Sequence, residues 1–222
     1  MKKMNEKIIL SWSGGKDSAL ALYELMRQGY TDITLLTTIT DKYERISMHG
    51  VRKALLEKQA KSIGCYLEKV YITPESTNEE YEKKMEETMN RYKKLGAAKV
   101  AFGDIFLEDI RKYREENLRR AGMEAIFPLW GRDTKEIADT FINLGFKSII
   151  TCVDTKVLNG DFSGRLYDKN FLANLPENIN SCGENGEFHS FAFDGPIFKE
   201  RINFSVGKRV LRDERFNFCD LI

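Results

Sequence analysis

The sequence lacks any apolar run long enough to cross a bilayer, and its first residues do not follow the pattern of a signal peptide. Net charge is also nearly absent, because 35 lysine and arginine residues balance 34 aspartate and glutamate residues. This balance demands neither a nucleic-acid nor a membrane partner, although it leaves room for a local basic patch. Since 42% of the 222 residues are hydrophobic, we expect a globular, cytoplasmic protein of one large or two small domains.

Cysteine is scarce, and the four cysteines form no Cys-x-x-Cys pair: Cys65, Cys152, Cys182 and Cys219. Their wide spacing favours separate reduced thiols over a disulfide framework. It also argues against a sulfur-transfer enzyme, which commonly carries paired cysteines. A zinc site built from His189, Cys182 and a glutamate is a weaker alternative, because the spacing matches no common zinc pattern.

A motif rich in glycine, serine and charged residues lies near the start of the chain, where residues 11–18 are Ser-Trp-Ser-Gly-Gly-Lys-Asp-Ser. The apolar residues 8–10 before it predict a buried parallel strand, and the spaced leucines after it predict a helix that ends at Gly29. A strand, a glycine turn and a helix together favour anion binding, because the first N–H groups of the helix point into the turn.

The side chains of this motif suit a phosphate ligand. Ser11, Ser13 and Ser18 offer hydroxyl groups, and Lys16 adds a positive charge. Asp17 would repel phosphate, so it indicates either a divalent cation between the two or a helix cap. The spacing matches neither a Walker A loop nor Gly-x-Gly-x-x-Gly.

Residues 13–18 resemble the PP-loop of the ATP pyrophosphatase superfamily. The resemblance implies that an acceptor oxygen attacks the α-phosphate of ATP and that pyrophosphate leaves. The alternative is a glycine-rich turn that binds no ligand.

Strands alternate with helices over the first 129 residues, which predicts an α/β fold with a doubly wound parallel sheet of the Rossmann-like type. The predicted strands are residues 8–10, 33–39, 66–72, 100–102 and 125–127. One predicted helix opens at residues 48–52. Another begins at a capping box of Ser76 and Glu79 and carries a stripe assigned to the core: Tyr81, Met85, Met89, Tyr92 and Leu95.

Ligands bind such sheets at the carboxyl ends of the strands, so the motif at 11–18, Thr38 with Ile39, and Gly103 with Asp104 should share one rim. From about residue 130 the elements become shorter and turn signals more frequent. We therefore assign residues 1–129 to a PP-loop ATP-binding domain and residues 130–222 to a smaller, substrate-binding α+β domain.

A second dense stretch spans residues 182–191. Two glycines flank Glu184 and Asn185, which predicts a tight loop, and Glu187 and His189 follow within a few residues. An aromatic strand comes next. Such a loop is a plausible binding lip, and the alternative is a solvated turn.

Three segments taken together, residues 13–18, 102–104 and 183–190, resemble the diphthine–ammonia ligase family. Residues 47–52 and 194–198 are similar to the family as well. Family members use ATP and ammonia to amidate the carboxylate of diphthine, on a modified histidine of elongation factor 2. Archaeal and eukaryotic members carry glycine in place of Asn185 and glutamate in place of His189. This form resembles the bacterial branch, for which the acceptor is not diphthine and is unknown.

These considerations lead to a site hypothesis. ATP is held by Ser11, Ser13, Gly14, Gly15, Lys16, Asp17, Ser18, Thr38, Ile39, His49, Gly103 and Asp104. Mg²⁺ is held by Asp17 and Asp104. The acceptor is bound by Glu184, Asn185, Gly186, Glu187 and His189. The catalytic residues are Lys16, Asp17, Glu187 and His189. His49 either contacts phosphate or caps its helix, and Asp104 is alternatively a plain turn residue.

Three functions remain open at this stage. The first is an amide ligase that forms AMP and pyrophosphate and takes nitrogen from ammonium or a partner protein, since no glutaminase domain is attached. The second is a PP-loop enzyme that adenylates another acceptor, either a small carboxylate or an RNA base. The third is a regulatory protein that binds ATP without turnover. A homodimer is compatible with each of them.

Overall fold

The computed structural model describes residues 4–46 and 49–222, so Ser47 and Met48 of the family-like segment 47–52 lie outside it. Its helices are α1 (Lys16–Gln28), α2 (Lys53–Ile63), α3 (Asn78–Lys94), α4 (Glu108–Ala121), α5 (Thr134–Asn143) and α6 (Lys169–Asn174). Its strands are β1 (Met4–Ser11), β2 (Tyr30–Thr40), β3 (Arg45–Ile46), β4 (Tyr66–Ile72), β5 (Ala97–Ala101), β6 (Glu124–Ile126), β7 (Lys147–Asp154), β8 (Phe188–Asp194), β9 (Val206–Arg212) and β10 (Phe216–Leu221).

The first sheet is six-stranded, with the order β3-β2-β1-β5-β6 and with β4 also paired to β2. All of its pairings are parallel except that of β3 with β2. Alternate residues of its strands face opposite sides, so Leu10 and Leu35 pack with α1 and α2, whereas Ile9 and Leu36 pack with α3 and α4. The predicted doubly wound α/β fold is confirmed.

The second sheet is antiparallel and four-stranded, with the order β8-β7-β10-β9. Its inner face joins the hydrophobic cluster that lies under α1, because Leu20 and Leu25 belong to the same cluster as Phe141 and Phe191. The two sheets are thus packed through α1, the helix that follows the glycine motif. The division at residues 129 and 130 remains our proposal.

Several local predictions need correction. Helix α2 starts at Lys53 rather than at residues 48–52. The capping box of α3 is formed by Thr77 and Glu80, because each side chain accepts a hydrogen bond from the other's backbone N–H. Ser76 instead accepts a hydrogen bond from the backbone N–H of Thr73.

The apolar stripe of α3 is only partly core. Met89 and Tyr92 are buried, whereas Leu95 at the end of the helix is 59% exposed. Tyr81 and Met85 line a cavity over the sheet. The prediction that the whole stripe is core was therefore wrong, because the helix covers the sheet incompletely at its first turns.

All four cysteines lie in the described part of the chain, and all are free thiols. In that same part, none of the helices is both long and apolar enough to span a membrane.

Candidate active site

The glycine motif forms a tight loop between β1 and α1. Gly14 adopts φ +71°, a conformation that L side chains rarely take, and Gly15 is the extended residue that caps α1. The hydroxyl of Ser13 accepts a hydrogen bond from the N–H of Gly15 at 3.2 Å and lies 3.2 Å from the hydroxyl of Ser18. The loop therefore gathers hydroxyl groups and helix N–H groups at the rim where β1 ends.

Strand β8 of the second sheet lies against this loop. The N–H of Ala192 donates to the carbonyl oxygen of Gly14 at 2.8 Å, and the N–H of Lys16 donates to the hydroxyl of Ser190 at 3.1 Å. A Cβ on Gly15 would stand 3.0 Å from the carbonyl oxygen of Ser190. Close contact between loop and strand therefore favours glycine at this position.

The ammonium group of Lys16 points to the second sheet. It is 4% exposed, bonds both carboxylate oxygens of Asp17 at 2.7 and 2.8 Å, and donates to the carbonyl oxygen of Cys182. The rings of Tyr167 and Phe188 lie 5.6 Å from it. Burial would lower the pKa of Lys16, but Asp17, Cys182 and Glu184 together outweigh it, so the net pKa is raised and the group is charged. The Lys16 ammonium group thus contacts residues at both ends of the segment 182–188.

Carboxylates from three segments meet beside Lys16. Burial raises the pKa of Asp17, although Lys16 offsets part of the effect. Asp104 forms an ion pair with Arg114 at 2.7 Å. Glu184 accepts a hydrogen bond from the N–H of Ile105 at 2.8 Å, and burial raises its pKa to about 7. The tip of the 182–187 loop is therefore attached to the end of β5.

These carboxylates could supply only part of the coordination shell of a magnesium ion bound to a nucleotide. No group of three or more side chains positioned to bind a metal occurs in the described residues. Mg²⁺ beside a nucleotide usually takes one or two carboxylates and completes its shell with phosphate oxygens and water. Asp17 and Asp104 interact electrostatically with each other and lie next to the loop. The donor set fits such an ion, and the assignment remains a proposal.

Gly103 lies against the first turn of α1. A Cβ there would stand 3.1 Å from the carbonyl carbon of Asp17 and 3.2 Å from the backbone nitrogen of Ser18. These are backbone atoms that cannot rotate away, so a side chain would displace the helix start. The predicted convergence of the glycine motif with residues 103–104 is thus observed.

The only two histidines of the sequence face each other across the rim. The rings of His49 and His189 have centroids 4.4 Å apart at 33°. Burial lowers the pKa of His189 to about 4, and burial together with His189 lowers the pKa of His49 well below its ordinary value. Both rings are therefore neutral at physiological pH and can accept a proton.

Glu187 is occupied within its own loop. Its carboxylate accepts hydrogen bonds from the backbone N–H of Asn180 at 3.1 Å and from the backbone and side-chain nitrogens of Asn185 at 3.0 Å each. The side chain is buried, whereas Asn185 is exposed. These contacts indicate that Glu187 organises the loop, together with Asn185 and Gly186, rather than contacting a substrate.

A cavity of about 680 Å³ opens between α3 and α4 above the carboxyl ends of β1, β2 and β5. Ser11 and Ser13 line one side, and Thr38 lines another. Ile39 does not take part: it is fully buried and pairs with Ile46 on one side and Tyr71 on the other. The expectation that Ile39 holds a base through its backbone is not supported by this geometry.

The sequence reasoning missed four residues that complete the site: Gln59, Arg114, Tyr167 and Ser190. They come from α2, α4, the segment before α6, and β8. Ser190 lies within the family-like segment 183–190, but the sequence pattern predicted no role for it. Nothing in the local patterns signals the other three, because their partners lie far away in the chain.

A strand, a glycine loop and a helix, with a nucleotide-sized cavity at the rim of a parallel sheet, define a nucleotide-binding α/β protein of the PP-loop class. Residues 6–125 match the profile of the diphthamide synthase N-terminal domain, and residues 133–221 match that of the diphthamide synthase C-terminal domain. The chain belongs to the diphthamide synthase family and is accordingly an enzyme of the ATP-dependent ligase class.

Individual relatives agree with this family. A diphthine–ammonia ligase of Schizosaccharomyces pombe is 23% identical over 88% of this chain, which spans only 36% of that protein. The Danio rerio diphthine–ammonia ligase is 25% identical over 91% of this chain and 88% of its own length. Among solved structures, the U34-tRNA thiolase NcsA of Methanococcus maripaludis superposes with a TM-score of 0.40 and 17% identity, over 64% of this chain and 59% of that one.

Proposed function

We propose that this chain is an amide ligase that forms AMP and pyrophosphate. An oxygen of an acceptor carboxylate attacks the α-phosphorus of ATP, the bond to the bridging oxygen breaks, and pyrophosphate leaves. Ammonia then attacks the acyl carbon, the bond to AMP breaks, and the amide is formed. The observation that carries this proposal is the contact of β8 and the 182–187 loop with the glycine motif, because it joins the proposed phosphate-binding and acceptor-binding groups.

The nucleotide is proposed to lie in the 680 Å³ cavity with its phosphates at the glycine motif. The base and ribose lie over the end of β2 near Thr38, and the phosphates receive hydrogen bonds from Ser13, Ser18 and the first N–H groups of α1. Asp17 and Asp104 would hold Mg²⁺, which would supply positive charge to the leaving pyrophosphate. Arg114 lies on the same side and holds Asp104 in place through an ion pair at 2.7 Å.

The acceptor and the nitrogen source are proposed to meet at the histidine pair. Because His49 and His189 are neutral and close together, either imidazole can accept a hydrogen bond from ammonia and orient it for attack. The proton that the attacking nitrogen loses passes to water. Glu187 keeps the neighbouring loop in place, and Glu184 fixes it to the end of β5. The nitrogen comes from free ammonium or a partner protein.

The relatives named diphthine–ammonia ligase support a carboxylate as the acceptor. Two positions of the acceptor loop, Asn185 and His189, differ from the archaeal and eukaryotic form of the motif. We propose that the acceptor is a carboxylate and that the 182–187 loop with His189 sets which carboxylate is bound.

The decisive experiment follows the oxygen atoms. The protein is incubated with ATP, Mg²⁺, ammonium and an acceptor-containing lysate of the source cell, whose carboxylates have been labelled with ¹⁸O. We expect AMP that carries one ¹⁸O and an equal amount of pyrophosphate, dependent on lysate. The variant Asp17→Asn should lose at least 100-fold of this activity, whereas the surface control Asp32→Asn should keep it.

Each alternative has its own outcome. ADP and phosphate would place the cleavage at the wrong bond and contradict the proposal. AMP without ¹⁸O would exclude carboxylate adenylation and favour hydrolysis. Labelled AMP released without ammonium but into a hydroxylamine trap would support the first step and separate it from the second.

A further inference from the structure

A second cavity, of about 450 Å³, lies outside the site described above. It opens between the end of the first sheet, at β2 and β3, and strands β9 and β10 of the second sheet. Its wall is largely apolar, with Ile46, Val210 and Ile222, and it also carries cations and aromatic rings: Tyr43, Arg45, Lys208, Arg212 and Phe218.

The cations of this cavity differ in their partners. Arg45 is neutralised, because it pairs with Asp220 at 2.8 Å and donates to the carbonyl oxygen of Gly50 at 2.6 Å. Lys208 and Arg212 have no ion pair with any described residue. The cavity therefore has an excess of positive charge that the described part of the chain does not balance.

Aromatic rings hold one of these cations in position. The guanidinium carbon of Arg212 lies 5.9 Å from the ring centre of Tyr43 and 5.8 Å from that of Phe218. Stacking leaves the N–H edge of a guanidinium free to donate to an anion. Lys208 is two pleats away on the same face of β9, so both donors point to one side of the strand.

The cavity is next to the glycine motif. His49 lies against the glycine motif, because a Cβ on Gly15 would stand 3.3 Å from its ring carbon Cε1. The next residue, Gly50, lies against the cavity, because a Cβ there would stand 2.7 Å from the ring of Phe218. His49 and Gly50 thus separate the histidine pair from this cavity. Gly50 has φ +68°, a conformation that favours glycine at this position.

We infer that this cavity is a second, anion-binding site, in which Lys208 and Arg212 bind a carboxylate or phosphate group while the neighbouring apolar wall takes its carbon skeleton. The identification of that anion as part of the acceptor rests on the proposed function; the anion site itself does not. Only His49 and Gly50 separate an anion bound here from the histidine pair. The site would therefore position an acceptor that carries a second anionic group.

The test compares two adjacent residues of one strand. Lys208→Gln removes a cation that lines the cavity, and Arg209→Gln removes a cation that is paired with Asp161 instead. Inorganic phosphate, glutarate and a tetraglutamate peptide are titrated into the full chain, and amide shifts are followed by NMR. Phosphate should also shift the amides of the glycine motif, which serves as a separate reporter. For the shifts in β3, β9 and β10 we expect a dissociation constant that rises about tenfold in Lys208→Gln and in Arg212→Gln. Arg209→Gln should match the wild type.

The outcomes separate the possibilities. Tighter binding of phosphate, of glutarate or of the peptide identifies a phosphorylated, small dicarboxylate or acidic-peptide source, and each of the three supports the site. Equal weakening in Arg209→Gln, or shifts spread over all basic surfaces, overturns it. Because the titration contains no ATP, a protein that binds the probes but yields no labelled AMP refutes the proposed function alone. Labelled AMP without probe binding refutes the anion site alone.

Discussion

The side-chain nitrogen of Gln59 donates a hydrogen bond to the carbonyl oxygen of Gly14 at 2.9 Å and a second one to that of Ala192 at 2.6 Å. Its side-chain oxygen accepts the indole N–H of Trp12 at 3.0 Å. Gln59 is fully buried in α2. A single buried amide thus joins two residues of the glycine motif to β8 of the second sheet.

Replacing this amide should be costly. In Gln59→Leu, the indole N–H of Trp12 loses its acceptor, and two carbonyl oxygens lose a donor inside the protein. We expect the free energy of unfolding to fall by about 2–4 kcal/mol, measured by urea denaturation. The exposed Gln28→Leu, in α1, is the control and should change it by less than about 0.5 kcal/mol. Equal stability of the two variants would mean that the amide contacts contribute little.

The histidines provide a spectroscopic prediction, because the chain has only two. Partly buried and facing each other, His49 and His189 should both remain neutral far below the pH at which free histidine titrates. We expect both ¹H–¹³C Cε1 signals to stay constant from pH 7.5 to 5.5, with the midpoint of His189 near 4. In urea both should titrate near 6.5. A midpoint near 6.5 in the folded protein would contradict the buried, paired arrangement.

Gly103 should be sensitive to a methyl group for a steric reason. In Gly103→Ala the new Cβ meets backbone atoms of Asp17 and Ser18, so the start of α1 must move. We expect the affinity for a non-hydrolysable ATP analogue, measured by calorimetry, to fall about tenfold, the equivalent of about 1.4 kcal/mol. Gly145→Ala has open space around the new Cβ but a positive φ of 85°, so it should lower stability by about 1 kcal/mol and leave this affinity unchanged. Identical affinities would show that the helix start tolerates the shift.

Asp154 should stabilise the second sheet in a pH-dependent way. Arg215 donates to its carboxylate at 2.5 and 2.9 Å and holds the pKa of Asp154 below its ordinary value of 3.8. A lowered pKa in the folded state gives stability that is complete above 3.8 and is lost as the pH falls through the folded pKa. We expect Asp154→Asn to cost about 1–2 kcal/mol at pH 7 and progressively less below pH 4.

The measurement for this prediction is the urea midpoint of both proteins at pH 7, 5, 4 and 3. The exposed Asp213→Asn, in the turn between β9 and β10, serves as the control and should show no such trend. A difference between wild type and Asp154→Asn that stays constant down to pH 3 would rule out an ionic contribution from this pair.

The sequence by itself determined the architecture and the location of the nucleotide loop. Continuous apolar runs that alternate with helical stripes predict a parallel sheet, and glycine at position 14 is the residue that its positive φ requires. These are local properties, because each depends on residues within one turn or one strand. The convergence of residues 103–104 with the loop followed from a topological rule about strand ends.

The tertiary structure alone decided how the site is assembled. The Lys16 ammonium points to Cys182, 166 positions further along the chain, and Ser190 approaches the loop from a second sheet. Glu187 is occupied by its own loop, and Ile39 is enclosed between two strands. Such contacts depend on how two sheets pack through α1. Packing energy is shared among many distant side chains, so no local spacing in the sequence carries it.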